Sequence, residues 1–411
     1  MTGVESRASR PVTVRRLLAA PAADLSAHEA THGRLPVVSR ALIDAVAASG
    51  LRGRGGAGFP VARKLAAVAG GRRPVVVANG AEGEPDSHKD AVLLTRAPHL
   101  VLDGLVAAAV AVGSRDCRVY APEAVLEPVR RALAERRSAG YREPAIELVA
   151  AVETFLAGEK SAVVNRLSGR AALPADQVVS TSRSGVGGRP TLVQNAETLA
   201  QVALIARHGP SWFRSIGVRA EPGTMLISLS GTRIARVFEV ASGIGLAEVV
   251  AGLGGTDPAR VRAVLVGGWH GSWISGLAVP GAALSAEGLR HLHAGPGAGV
   301  LRVLSHGECG LRVTAEITAY LAAQSAGQCG PCRHGLPALA TRFDRLLDGV
   351  GAADEIARLA RLVEGRGACH HPDGTARLVR SALSVFADEA ARHRHGSCVE
   401  RASSARTGVL S

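Results

Sequence analysis

Apolar residues recur at two different spacings along this chain. Pro74–Ala78, Arg118–Tyr120 and Ile146–Ala150 are short β-type runs and predict strands. In Leu100–Val112 and Val125–Ala134 the apolar positions return at helical spacing. This alternation runs from Leu35 to about Arg207 and predicts an α/β domain. From Gly223 the character changes: Thr224–Ser230 and Phe238–Val240 read as strands, Leu246–Leu253 as a short helix closed by Gly254 and Gly255, and Ala263–Val266 as a further strand. After Thr314 the pattern is helical throughout. Val313, Ile317, Tyr320 and Leu321 share one face, Leu339, Phe343, Leu346 and Leu347 another, and Ile356, Leu359, Leu362 and Val363 a third. Leu378, Val379, Leu383 and Phe386 form a fourth stripe. Such stripes are better explained as bundle core than as a cofactor surface. The organisation expected is a loose leader over 1–35, an α/β domain over 36–220, a small β module over 221–302, a helical domain over 303–399 and a disordered Ser/Arg-rich tail over 400–411.

Composition narrows the class. With 411 residues, 47% of them hydrophobic, the chain can build more than one core, yet no apolar run approaches the ~20 residues needed to span a bilayer. The first thirty residues carry Arg7, Arg10, Arg15 and Arg16 before only a short Ala/Leu stretch, a poor secretion signal, so a cytoplasmic protein is expected. The net charge of +13 suggests a polyanion partner, but the arginines are spread along the whole chain and aromatics are only 3%. That is too few for base-stacking platforms, and an acidic protein partner is the better expectation than nucleic acid. Lysine is confined to Lys64, Lys89 and Lys160 among 48 basic side chains. Where arginine dominates so strongly, a retained lysine points to a place that needs a compact ammonium.

Four loops carry candidate chemistry. Gly50–Pro60 packs five glycines and two arginines into eleven residues, and Lys64 follows it. Bare amides and positive charge suit a phosphate, although a flexible turn has the same make-up. Ala78-Asn79-Gly80-Ala81-Glu82-Gly83-Glu84-Pro85-Asp86-Ser87-His88-Lys89-Asp90 follows the strand at Pro74–Ala78, and ligands bind at the carboxyl ends of parallel strands. Its acids suit ribose hydroxyls or a ring N–H, or else it is a solvated turn. Gly158-Glu159-Lys160 follows another strand and reads equally as a site or as a surface pair at a helix start. Gln194-Asn195-Ala196-Glu197-Thr198 either binds a heterocycle or caps a helix.

The cysteines are Cys117, Cys309, Cys329, Cys332, Cys369 and Cys398. A cytoplasmic setting argues against a disulfide framework. Cys329-Gly330-Pro331-Cys332 is a C-x-x-C between helices, suited to metal or redox work, and Cys369 sits before His370 and His371 in another helix-linking loop. Cysteine and histidine together are equally a zinc donor set. Cys117 lies in a strand and reads as a small core residue.

Taken in order, these motifs resemble the NADH dehydrogenase flavin subunit of respiratory complex I and the related diaphorase subunits, from about residue 35 to about residue 395. The family loop G-L-R-G-R-G-G-A-G-F-P-x-x-x-K is matched in full by Gly50 through Lys64. The resemblance implies an α/β flavin-binding domain, a β-grasp module and a C-terminal helical iron–sulfur bundle. It places Gly53, Arg54, Gly55, Gly56, Gly58 and Lys64 at flavin mononucleotide (FMN) and Phe59 near the nicotinamide nucleotide. Asn79, Glu82 and Glu84 match the family's N-x-x-E-x-E-P loop, Gly158 and Glu159 its G-E-E-T segment, and Asn195, Glu197 and Thr198 its N-N-V-E-T segment.

For the 4Fe–4S cluster, Cys329, Cys332 and Cys369 fall at ligand positions, but Ala326 replaces the remaining cysteine. The fourth ligand is then expected from Cys398 or His370, with His371 and Cys309 as further substitutes. The nucleotide half departs too: Ala81, Phe155, Lys160 and Leu65 stand where the family usually has an acid, tyrosine, glutamate and tryptophan. The activity implied is electron transfer from NAD(P)H through FMN to the cluster and on to a ferredoxin-like or thioredoxin-like 2Fe–2S protein, within a larger oxidoreductase complex that is cytoplasmic or peripheral to a membrane. A relay that has lost NADH oxidation, or a metal-stabilised scaffold, are the alternatives.

Overall fold

The computed structural model describes residues 14–176 and 179–398. The first helices, α1 (Leu25–His32), α2 (Leu42–Ser49) and α3 (Val61–Ala69), lead into four parallel strands, β1 (Val75–Asn79), β2 (Asp116–Ala121), β3 (Ile146–Ala150) and β4 (Thr191–Asn195), ordered β3-β2-β1-β4. The crossovers are α4 (Lys89–Arg96), α5 (Pro98–Val112), α6 (Glu123–Ser138) and α7 (Lys160–Leu167), and α8 (Ala196–Arg214) follows the sheet. Alternation along β1 explains the layering. Val76 and Ala78 join the large core beneath α5 and α8, whereas Val75 and Val77 pack with Tyr120, Val163 and Val193 on the opposite face. Cys117 is buried in the large core, as its strand position implies.

After a two-residue pair, β5 (Gly217–Val218) with β6 (Glu221–Pro222), comes a five-stranded sheet. Its strands are β7 (Thr224–Ser230), β8 (Arg236–Ala241), β9 (Val261–Val266), β10 (Ser272–Ser275) and β11 (Val300–Ser305), ordered β10-β9-β11-β7-β8, with α9 (Ala286–Leu289) before the last strand. Only β11 and β7 are parallel; the other pairs are antiparallel. Val264, Val266, Leu301 and Val303 face the module's own core, while Ala263, Leu265 and Leu304 face the helical region. That region comprises α10 (Gly310–Ala323), α11 (Leu336–Leu347), α12 (Ala353–Val363), α13 (His371–Val385) and α14 (Ala387–Arg394).

The expectation of a loose leader fails over residues 14–35. Leu17 is fully buried, and the buried Glu239 carboxylate accepts the amides of Arg16, Leu17 and Leu18 at 2.9–3.1 Å. Farther on, His28 donates to Asp103, which Arg136 also engages at 2.6 Å. A single arginine-rich stretch gives no hint of carboxylates that lie so far along the chain. The remainder of the leader and the expected tail over 400–411 lie outside the described residues. Among the described residues, no single helix is long and apolar enough to cross a membrane.

Candidate functional site

The glycine loop joins α2 to α3, and its ends are tied together by Gly53 N–H to the Phe59 carbonyl (2.9 Å) and Val61 N–H to the Leu51 carbonyl (3.1 Å). Its middle is tied to α8, where Arg54 N–H donates to Thr198 Oγ1 at 2.9 Å. A Cβ on Gly55 would lie 3.4 Å from that of Asn195, so the loop rests against the carboxyl end of β4. Gly56 (φ +105°) and Gly58 (φ +58°) adopt backbone conformations that side chains disfavour. Among the described residues, none of the bonds that fix the loop uses the amides of Gly55, Gly56 or Gly58. Above them lies a cavity of about 230 Å³, lined by Gly53, Arg54, Gly56, Gly58, Met225 and Pro296. The Arg54 guanidinium is buried, and its Nε has no hydrogen-bond acceptor among the described residues. Lys64, in the first turn of α3, has its ammonium pKa lowered by burial and by the nearby charge of Lys160. Phe59 stays exposed, with the Arg63 guanidinium 5.5 Å from its ring. The glycine amides and the buried Arg54 guanidinium beside this space fit a phosphate-bearing flavin, with Glu197 and Glu221 on the same wall and Lys64 in the helix that follows the loop.

The acidic loops occupy the carboxyl end of the same sheet. Asn79 Nδ2 donates to the Gly158 carbonyl at 2.9 Å, joining the loops that follow β1 and β3. The loops also touch backbone to backbone, for a Cβ on Gly83 would sit 2.3 Å from the Phe155 carbonyl oxygen. Glu82 is engaged at both oxygens, accepting from Ser87 Oγ at 2.6 Å and from Ala91 N–H at 2.9 Å. Glu84 Oε1 accepts Trp269 N–H at 2.9 Å. Burial pushes the Glu84 carboxyl up to about 8, against that hydrogen bond and helped by Asp86 and Glu82. Glu159 caps α7, accepting from Ser161 N–H at 2.7 Å and Ala162 N–H at 3.1 Å, while Lys160 is exposed. A cavity of about 360 Å³ opens between these loops, lined by Glu82, Glu84, Pro122, Thr154 and Ala157 and closed on one side by Tyr320 of α10.

Asn195 caps α8, its Oδ1 accepting Glu197 N–H at 3.1 Å and its Nδ2 donating to Asp90 at 2.5 Å. Lys89 lies among these groups, with Nζ 2.9 Å from Asp90 and 3.0 Å from Glu197. Burial alone would pull its ammonium down, but Asp90, Glu197 and Glu82 outweigh that and hold it above its usual value. Of the three lysines, therefore, Lys64 follows the glycine loop, Lys160 is near enough to lower the Lys64 pKa, and Lys89 is a buried counter-ion. Leu65 is fully buried in the α/β core.

Cys329 and Cys332 stand before α11, and Cys369 precedes α13. Burial, then the hydrogen bond and charge of Cys329 and the charge of Cys369, push the Cys332 thiol up to about 12. Burial also raises the Cys369 thiol, opposed by the His371 amide, and Glu159 is the foremost charge acting on it. The loop after β3 therefore reaches the cysteine site. Cys332 hydrogen-bonds Cys329 and feels the charge of Cys369, so the three thiols lie close together.

The proposed fourth ligand needs correction. Cys398 lies with Cys309 and His393, near the amino end of α10, whereas Cys329 follows that helix. Fourteen residues at about 1.5 Å rise separate the two ends by roughly 20 Å. His371 is also committed elsewhere: its Nε2 donates to the Leu321 carbonyl at 2.8 Å and its Nδ1 lies 3.0 Å from His270 Nε2. His370 remains beside Cys369, exposed, with Nδ1 3.4 Å from Asp373. Phe155 stacks edge-on against His270, at 4.8 Å between ring centroids, so its side chain lies at the junction with the helical region. Sequence reasoning missed Trp269, His270 and the burial of Lys89, because no local motif marks a partner 100 or more residues away.

Comparison with known proteins agrees with this geometry. Residues 46–204 match the family described as the Nuo51 FMN-binding domain, and residues 312–393 match the NADH-ubiquinone oxidoreductase-F iron-sulfur binding region. An F-type subunit of the NADH-quinone oxidoreductase of Rhizobium meliloti (strain 1021) is 31% identical over 376 residues, covering 86% of this chain and 88% of that protein. The HndC subunit of the NADP-reducing hydrogenase of Solidesulfovibrio fructosivorans is 29% identical over 374 residues, covering 86% and 76%. Among solved structures, an NAD+-reducing [NiFe]-hydrogenase in its H2-reduced state is similar over 84% of this chain, with a TM-score of 0.78 and 27% identity. The chain spans 62% of that hydrogenase chain. The chain belongs to the family of F-type subunits of NADH-quinone oxidoreductase, FMN- and iron–sulfur-dependent oxidoreductases that take electrons from NADH.

Proposed function

We propose that Gly53, Arg54, Gly55, Gly56, Gly58 and Lys64 hold FMN, that the 360 Å³ cavity at Glu82 and Glu84 admits the nicotinamide dinucleotide, and that Cys329, Cys332 and Cys369 hold the 4Fe–4S cluster. When bound, these groups supply hydride acceptance from NAD(P)H and one-at-a-time electron release to a protein acceptor. The protein's part is positioning and charge. Lys64 and Lys160 offset phosphate charge, Phe59 offers an exposed ring face beside the loop, and Asn195 and Thr198 brace the loop on α8. Glu82 and Glu159 act chiefly by fixing the starts of α4 and α7, leaving Glu84 as the acid with a free oxygen toward the cavity. No side-chain proton transfer is required.

The observation that carries this reading is the junction itself. The loop ending in Glu159 borders the dinucleotide cavity through Ala157 and reaches Cys369 electrostatically. The same loop packs against the helical region that carries the cysteines, Phe155 N–H donating to Gln324 Oε1 at 3.2 Å, so one loop borders both sites, as electron transfer over a short path requires. The five-stranded module with its packed helical turn has the make-up of a β-grasp domain. The acceptor is a ferredoxin-like or thioredoxin-like 2Fe–2S protein drawn to the basic surface, in a cytoplasmic complex or one peripheral to a membrane.

Anaerobically purified protein mixed with NADH or NADPH in a stopped-flow instrument tests the reading. Flavin bleaching with either donor is expected, and the faster donor defines the specificity. Bound flavin and iron without bleaching would make the chain a relay; absence of both would make it a scaffold.

A further inference from the structure

The helical region holds a second thiol site, separate from the cluster cysteines. Cys309, His393 and Cys398 are all buried, and their ligand atoms lie within 4.8 Å of one another. Cys309 Sγ is 3.3 Å from His393 Nε2 and 3.4 Å from Glu389 Oε2. His393 Nδ1 lies 3.0 Å from the Leu347 carbonyl. A carbonyl only accepts, so Nδ1 carries the proton and Nε2 presents its lone pair to the sulfurs. That is the arrangement by which a backbone carbonyl orients a metal-ligating histidine.

We propose that Cys309, His393 and Cys398 bind one divalent ion of the zinc class, with Glu389 facing the fourth position. Two sulfurs and an imidazole are a donor set that selects zinc over calcium or magnesium. On binding, the two thiols release their protons to solvent and become thiolates. The charges then balance. Two thiolates and the Glu389 and Asp388 carboxylates meet the doubly charged ion, Arg262, which donates to Glu389 at 3.2 Å and to Asp388 at 2.6 and 2.8 Å, and Arg392, which donates to Asp388 at 2.8 Å. Buried charge persists where it is paired in this way. The ion would clasp the start of α10, the end of α11 through the Leu347 carbonyl, the last turn of α14 and the segment after it. This clasp closes the end of the bundle remote from Cys329 and Cys332.

Zinc content and zinc K-edge X-ray absorption of the full-length holoprotein, purified without added metal, test the proposal. About one zinc per chain is expected, with two sulfurs near ~2.3 Å and a nitrogen near ~2.0 Å in its first shell. C329S should keep that zinc, while H393A and C398S lose it and retain flavin and iron. Should those variants not fold, the wild-type spectrum still decides. An all-sulfur shell would put the metal at the cluster cysteines and overturn the proposal, as would zinc-free protein or a Cys309–Cys398 disulfide in non-reducing mass spectrometry.

Discussion

Lys89 and Glu197 meet at 3.0 Å with both side chains all but sealed from solvent, directly behind the loop that bears Arg54. Lys89 also faces Asp90, so its removal would leave two buried carboxylates without their main counter-charge. Breaking a buried pair in this way costs about 3–5 kcal/mol. K89M should therefore lose that much stability in urea unfolding, in the presence or absence of flavin. A loss below about 1 kcal/mol, the scale of an exposed pair, would show that Lys89 is not the counter-ion of this cluster.

Much of this architecture was legible from local pattern. β3 and β7 fall at the residues their apolar runs predict, since a short β-branched run bounded by turn residues has few other folds. The four-residue β10 and the glycine-flanked β11 carry too little pattern to be read. The site divides in the same way. The glycine loop is written contiguously, and its backbone conformation follows from its composition. Glu159 is different: its residue type fits both a ligand contact and a helix cap, and only the placement of Ser161 and Ala162 shows that it caps. Cys309 and His393 stand 84 residues apart, so their meeting depends on how α10, α11 and α14 pack.

Lys64 and the bare amides of the glycine loop should dominate retention of the flavin phosphate. A charge-assisted hydrogen bond contributes about 1.5–3 kcal/mol, so K64M should weaken FMN binding roughly ten- to a hundredfold. Fluorescence titration of the deflavinated protein measures this. Because Lys64 is repelled by Lys160, K160M should leave affinity equal or slightly weaker, never abolished. Unchanged affinity in K64M would remove the lysine from the phosphate site.

Iron retention separates the cysteines. C332S and C369S should each lose most of the cluster, judged by iron content and by the electron paramagnetic resonance of the reduced protein. C398S should retain it, since Cys398 lies at the other end of α10. H370A tests the exposed imidazole beside Cys369. An altered resonance with retained iron is expected if His370 completes the ligand set, and an identical spectrum would leave the fourth iron to solvent.

Glu84 should make stability depend on pH in a direction opposite to an ordinary paired carboxylate. Burial raises its folded pKa to about 8 from about 4.5, so the folded protein holds this proton more tightly than the unfolded chain. Its contribution to stability is complete below about 4.5 and is lost as pH rises through about 8. Glutamine keeps the same shape and can still accept the Trp269 N–H, but it never ionises. In protein free of nucleotide, the Tm of E84Q minus that of wild type should therefore climb between these two pH values and level off above them. A difference that stays flat across this range would mean that Glu84 titrates near its ordinary value and that the cavity floor is better hydrated than its packing against Trp269 implies.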